Sequence, residues 1–219
     1  MSILTRPKPV IAIESIDEIS PVLQQNNKTN KTKNYEIRKA ATKQELERVY
    51  RLTHDAYVEM NYAKPQPDSR LIHYPELENI PETTVMIAES GSRVLGTLSI
   101  TVDGPAGLNT DRDFPEHTSR IRSQTKMLAA CWRMVTCKDY RHKKSIVKDL
   151  FKESLKFIFR QLEIDTLLCT VNPCHERVYQ LLFGCETVAR QVKSIDGLEN
   201  APAILMRLEN KNVPERWFS

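Results

Sequence analysis

Apolar and polar positions alternate in Tyr35-Glu36-Ile37-Arg38, which predicts a strand at the start of the folded region. Thr42 is followed three residues on by Glu45, the pattern of a capping box. Leu46, Val49, Tyr50, Leu52 and Ala56 then recur at helical spacing, and the helix is expected to run to about Tyr62. A proline-rich loop, 64–75, comes next. Strands at 84–89 and 94–102 flank the turn Ser90-Gly91-Ser92, which makes a hairpin. Residues 103–120 contain Gly104, Pro105, Gly107 and Pro115 and read as one long loop, of the kind that carries function. Residues 128–136 are apolar almost throughout, as in a strand covered on both faces. Residues 143–162 form a helix with Val147, Leu150, Phe151, Leu155, Ile158 and Leu162 on one face. A short buried strand, 166–171, runs into Asn172-Pro173, a turn and helix-start signal. In the helix that follows, Val178, Leu181 and Leu182 form one stripe beside Tyr179. Strands at 186–192 and 203–208 finish an α/β (α+β) domain over 35–219. An N-terminal extension and polar linker, 1–34, precede it.

Composition narrows the class. With 219 residues, 40% hydrophobic and 27% charged, the chain can bury one core and a tail. No run approaches the ~18 apolar residues of a membrane span, and the N-terminus has no signal-peptide apolar segment, so a cytoplasmic protein is expected. The five cysteines (Cys131, Cys137, Cys169, Cys174 and Cys185) are odd in number and contain no CxxC. That favours reduced thiols over disulfides or zinc, and no metal is expected. Cys174-His175 invites a nucleophile reading, though neighbours in sequence need not face each other. Charge is concentrated between Lys138 and Arg160, with eight basic residues against three acidic, a net +5 where the whole chain has +4. This is either a solvated helix face or a platform for an acidic partner. Nucleic acid is the rival partner, but the region lacks aromatic interleaving and a helix-turn-helix pattern.

The stretch VNPCHERVYQLLFGC resembles the late motif of the GNAT acyltransferases, in which Asn is followed seven residues on by Tyr. Asn172 and Tyr179 have that spacing, while Phe183-Gly184 inverts the usual Gly-aromatic pair. The opening YEIRKAATKQELERVYRLTHDAYVE and the order of elements are similar to the same superfamily. The resemblance implies a GNAT fold: a mixed central sheet flanked by helices, its fourth and fifth strands splayed around a thioester. Acyl transfer to an amine needs the two reactants held together, a route for the amine's proton, and donors for the oxyanion, often a backbone N–H at a bulged strand. CoA-dependent members cradle pyrophosphate on a glycine-rich turn. Here that turn, 139–145, keeps Arg141 at its first position but has no glycine.

Within 35–192 the chain resembles a narrower family, the bacterial long-chain N-acyl amino acid synthases, relatives of the acyl-homoserine lactone synthases. The block GLNTDRDFPEHTSRIRSQTKMLAACWRMVTCKDYRHK carries this, through Gly107-Leu108, Phe114, Arg120 and Arg122, Leu128-Ala129 and Arg141. The resemblance implies transfer of a fatty acyl chain from acyl carrier protein to an amino acid, tyrosine by the nearest pattern. The phosphopantetheine of the carrier would be the donor arm, with no tightly bound cofactor. It implies Tyr179 as thiolate acid or thioester partner, and Arg133, Trp132, Asn172 and Ser99 beside the substrates. Arg133 would pair with a substrate carboxylate or form an ion pair within the protein, and Trp132 would line the acyl tunnel or the core. The family carboxylate three residues before Arg133 is Ala130 here, which leaves His54, Asp55 and Glu59 as base candidates. Arg141, Lys143, Lys144, Lys148 and Lys152 are the candidate carrier-docking residues. The alternatives are a lactone synthase, disfavoured by Ser99 where those enzymes carry Arg, and a non-catalytic carrier- or nucleic-acid-binding domain.

Overall fold

The computed structural model describes residues 34–140, 144–191 and 201–218. The expected extension before Asn34 lies outside the described residues, as do Arg141 and Lys143. Strand β1 (Glu36–Lys39) leads into helix α1 (Lys43–Glu59). Thr42 Oγ1 accepts the Glu45 N–H at 3.2 Å, and Glu45 Oε2 accepts the Thr42 N–H at 2.8 Å, so the capping box is complete. Arg38 also binds Glu45 and Glu89, which ties β1, α1 and the next strand together. Helix α1 stops at Glu59, short of the Tyr62 expected, because Asn61 turns left-handed with φ 57°.

Strands β2 (Thr83–Ser90) and β3 (Arg93–Val102) form the expected hairpin, with Gly91 at φ +59° supplying the left-handed turn residue. The segment read as a single loop folds into two short helices, α2 (Asn109–Asp113) and α3 (Pro115–Arg122). Pro115 sits at the start of α3, where its missing N–H costs nothing. Leu108, Phe114 and Ile121 then bury against the sheet, and Arg122 clamps both Asp103 (2.6 Å) and Asp111. Strand β4 (Leu128–Thr136) is followed by α4 (Lys144–Lys156), whose last stretch relaxes into a π-helical turn, Phe157–Gln161. Then come β5 (Thr166–Val171), α5 (Glu176–Phe183), β6 (Glu186–Gln191) and β7 (Ala203–Glu209).

The seven strands lie in the order β1-β2-β3-β4-β5-β7-β6, and β4/β5 is the parallel pair. Residues alternate across β4. Ala129 and Cys131 join Leu98, Ile100, Leu150, Phe151 and Ile158 under α4, and Leu128 and Ala130 join Leu108, Phe114 and Leu168 under α2 and α3. Full burial of side chains such as Leu150 and Ile158 contributes roughly 1.5–3 kcal/mol each. The β4/β5 pairing covers only Leu128↔Thr166 to Cys131↔Cys169. Beyond it β4 stays on β3 while Thr170 and Val171 stay on β7, so the two strands part as the resemblance implied.

Candidate active site

The register between β3 and β4 slips at the point where β4 leaves β5. Thr97 faces Val135 and Ser99 faces Trp132, so β4 spends one residue more than β3 over that step. The extra residue is accommodated as a β-bulge with Arg133 at φ 52°, a conformation that costs a non-glycine residue on the order of 1–3 kcal/mol. The bulge has a specific result. Trp132 and Arg133 are consecutive yet both face the α1 side of the sheet, where strand alternation would send them to opposite faces. Trp132 Nε1–H donates to Thr101 Oγ1 at 3.0 Å, and Arg133 Nε and Nη2 donate to Ser99 Oγ at 2.9 and 2.6 Å.

Arg133 was read above as a pocket-wall cation or one half of an internal ion pair. The structure gives the ion pair. Its side chain is 1% exposed, its guanidinium binds Glu78, and Tyr50 donates its hydroxyl to Glu78 Oε2 at 3.1 Å. The guanidinium also lies over the Trp132 ring, 4.6 Å from its centroid. Burial and then the Glu78 charge push the Tyr50 phenol up to about 12. Trp132 is core: it packs edge-on against Tyr74 at 5.1 Å, with Leu77 beside it. Ser99 is the floor of this network, and Glu78 is its carboxylate. Nothing near Glu78 in sequence announces that role, since its partner lies 55 positions away.

Asn172 stands at the other lip of the gap. Its Oδ1 accepts the Cys174 N–H at 3.0 Å, which starts the turn before α5, and its Nδ2 donates to Tyr62 Oη at 2.6 Å. Tyr62 packs on Val135 of β4, so this hydrogen bond reaches across the separation between β4 and β5. Burial pushes the Tyr62 phenol up to about 12. Tyr179 lies on the opposite, α4 side of the vertex. It is wedged edge-on against Phe151 at 5.6 Å and Phe183 at 5.4 Å, near Cys131, Cys169 and Cys185. Those residues with Leu98 surround a cavity of about 10 Å³, close to the size of one water. Burial first, and the neighbouring thiols second, hold Tyr179 well above the usual phenol range. Burial thus favours the neutral phenol over the phenolate.

The base candidates are not gathered at the gap. His54 is buried, its Nε2 accepts the Gln66 N–H at 3.0 Å, and its Nδ1 meets Asp55 Oδ1 at 3.0 Å. Nε2 pins the 64–75 loop and Nδ1 is engaged by Asp55 on α1 itself, so a free imidazole base is not what the structure provides. Asp55 is exposed on the outer face of α1, and Glu59 pairs with Lys138 Nζ at 3.2 Å. Cys174 is exposed while His175 is buried, and burial lowers the imidazole to about 4, so the pair is not a thiolate–imidazolium nucleophile.

The polar residues that do converge near the gap were absent from the sequence reading. Tyr74 donates its hydroxyl to the buried Asp113 Oδ2 at 2.6 Å, and Asn109 Nδ2 reaches Thr170 Oγ1 at 3.4 Å. Their signal was faint: polar residues at the inward positions of a segment read as loop. On the outer side, Lys148, Lys152 and Lys156 follow at four-residue spacing on one face of α4, each half-buried along its stem.

The sequence matches the family model described as N-acyl amino acid synthase FeeM over residues 48–209. No curated protein gives a sequence match. Among solved structures, FeeM, an N-acyl amino acid synthase from uncultured soil microbes, is 22% identical with a TM-score of 0.70, covering 84% of this chain and 98% of that one. The CoA-dependent acyl-homoserine lactone synthase BjaI is 16% identical with a TM-score of 0.58, covering 84% and 85%. An acetyltransferase of the GNAT family from Streptococcus pneumoniae is 15% identical with a TM-score of 0.54, covering 80% and 98%. At these identities the likeness establishes the fold, and it is the GNAT fold.

Proposed function

The chain belongs to the N-acyl amino acid synthase family and is an acyltransferase, and from that premise we propose that it moves a fatty acyl group from acyl carrier protein to the α-amine of an amino acid, with tyrosine as the acceptor. The observation that carries this reading is the parting of β4 and β5 after Cys131↔Cys169, beside a bulge at Arg133. Past that point the β5-facing edge of β4 is not taken up by β5, and a thioester laid in the gap meets backbone groups in place of a strand. The carriers' phosphopantetheine is the group that fits such a slot. Its amide-bearing arm can pair with strand edges as a peptide does.

The chemistry asked of the chain is modest. The free amine attacks the thioester carbon, the C–N bond forms, the C–S bond breaks, and the nitrogen gives up one proton to solvent while the departing thiolate takes one up. Holding both reactants in the gap supplies the proximity. In this reading, backbone N–H groups at the bulged stretch answer charge on the carbonyl oxygen. Tyr179, kept as a phenol at the vertex, is the group in this reading that hydrogen-bonds or protonates the leaving sulfur. Arg133, Trp132 and Ser99 form the rigid wall behind the acceptor, and Asn172 with Tyr62 closes its far side.

Two features favour a carrier protein over CoA as donor. The 139–145 turn has no glycine to admit a pyrophosphate, and the lysine face of α4 would attract an acidic partner. The test is kcat/KM for one acyl group on the two carriers, with the product identified by mass spectrometry against a panel of amino acids. Higher kcat/KM with the carrier protein is expected. Equal or better use of acyl-CoA would refute the donor assignment, and absence of any acyl-amino acid would refute the reaction.

A further inference from the structure

Helix α2 holds two fully buried polar side chains whose oxygens have no partner among the described residues: Asn109 Oδ1 and Thr110 Oγ1, on residues 1% and 0% exposed. A buried polar atom without a partner is uncommon in a native fold, and each such case calls for an explanation. One explanation is a ligand that brings the missing partner.

The position of Asn109 says which ligand. Its Nδ2 donates to Thr170 Oγ1 at 3.4 Å, and Thr170 is the first residue of β5 beyond the last pair with β4. Thr170 is only half-buried, and it sits two residues after Leu168 on the strand, hence on the same face. That is the α2-facing side of the sheet, the side on which Trp132 and Arg133 also stand. The amide of Asn109 therefore lies at the inner lip of the gap, with its nitrogen anchored to β5. Its oxygen is carried on the same carbon, so it lies beside Thr170 as well. A carboxamide oxygen is an acceptor only, and the group it lacks is an N–H or O–H donor.

We infer that Asn109 is the residue that binds the acceptor's α-amine, its Oδ1 taking one N–H of that amine while Thr170 fixes the plane of the amide. This inference rests on the transfer reaction proposed above and adds to it the group that orients the nucleophile. Asn109 is not the base. It carries no charge and takes no proton; it holds one N–H so that the nitrogen lone pair is directed at the thioester carbon. The second orphan, Thr110 Oγ1, lies on the adjacent residue, and its hydroxyl can donate or accept.

The test uses Asn109→Leu, which keeps the volume and removes both polar ends, and Asn109→Asp, which keeps an acceptor oxygen. Steady-state constants are measured for the amino acid that the wild type acylates and for the acyl donor, and melting temperatures are recorded for all three proteins. Asn109→Leu is expected to raise KM for the amino acid at least about tenfold, with KM for the donor unchanged. It is expected to melt at or above the wild-type temperature, because it removes an unsatisfied buried group. Asn109→Asp is expected to hold KM for the amino acid within about threefold of wild type. An unchanged amino-acid KM in Asn109→Leu overturns the inference. So does a lower melting temperature with both KM values raised together, which marks a structural residue. If the wild type itself yields no acyl-amino acid, the parent reaction falls and this assignment with it.

Discussion

Replacing Arg133 with Met tests whether the bulge network is held by its ion pair. The change removes the cation from a pair whose side chains are 1% and 4% exposed, leaving the buried Glu78 carboxylate with the Tyr50 hydroxyl as its hydrogen-bond donor among the described residues. Loss of one partner from a buried pair typically costs about 3–5 kcal/mol. For a chain of this length each kcal/mol lowers Tm by roughly 2–4 °C, so a fall of roughly 6–20 °C is expected, followed by calorimetry or by urea unfolding. The double variant Arg133→Met with Glu78→Met removes the stranded charge. It should recover most of the loss, short by about 1 kcal/mol because Tyr50 then lacks its acceptor. Two results would refute the reasoning: a single-variant loss under about 1 kcal/mol, or a double variant that loses the sum of its singles. Either would mean that Arg133 is not neutralised by Glu78 in the folded protein and is free for a substrate carboxylate.

Other expectations follow from the same geometry. Tyr179→Phe keeps the ring packing against Phe151 and Phe183, so if the hydroxyl serves the leaving sulfur, kcat should fall at least about tenfold with both KM values unchanged, and a wild-type kcat would end that role. Charge reversal of Lys148, Lys152 and Lys156 to Glu should raise KM for the carrier protein and weaken its salt dependence; a lower kcat at unchanged carrier KM would exclude docking there. Arg38 holds the Glu45 carboxyl down at about 2, from an ordinary 4.5. A depressed carboxylate stabilises the fold above its unfolded value and loses that contribution as pH falls towards the folded one. The stability gap between wild type and Glu45→Gln should therefore shrink between pH 5 and pH 2, and a pH-independent gap would show that the Glu45 carboxyl is not depressed in the folded protein.

Local signals in the sequence carried the framework. Thr42 and Glu45 marked the start of α1, Gly91 the hairpin, and the run 128–136 the central strand, because each depends on residues within a few positions of one another. The two helices in 103–122 were hidden by Gly107 and Pro115, which read as breakers but here precede and start helices. The site was legible only as residue types. Arg133 was identifiable, but its partner Glu78 was not, since no periodicity links positions 55 apart. His54 looked like a base because imidazole usually is one at neutral pH. Its actual work, holding the backbone of Gln66, is a tertiary contact that nothing in its neighbourhood encodes.

The four-residue seam between β4 and β5 is where the two parts of the sheet, β1–β4 and β5–β7, are stitched together, at one end alone. Amide hydrogen exchange reads such a boundary directly. The amides of Leu128–Cys131 lie inside the stitching and should be among the slowest to exchange, while those of Thr170 and Val171 can open with the second block alone. Whatever occupies the gap touches both blocks at once. Its binding should slow exchange on each side together.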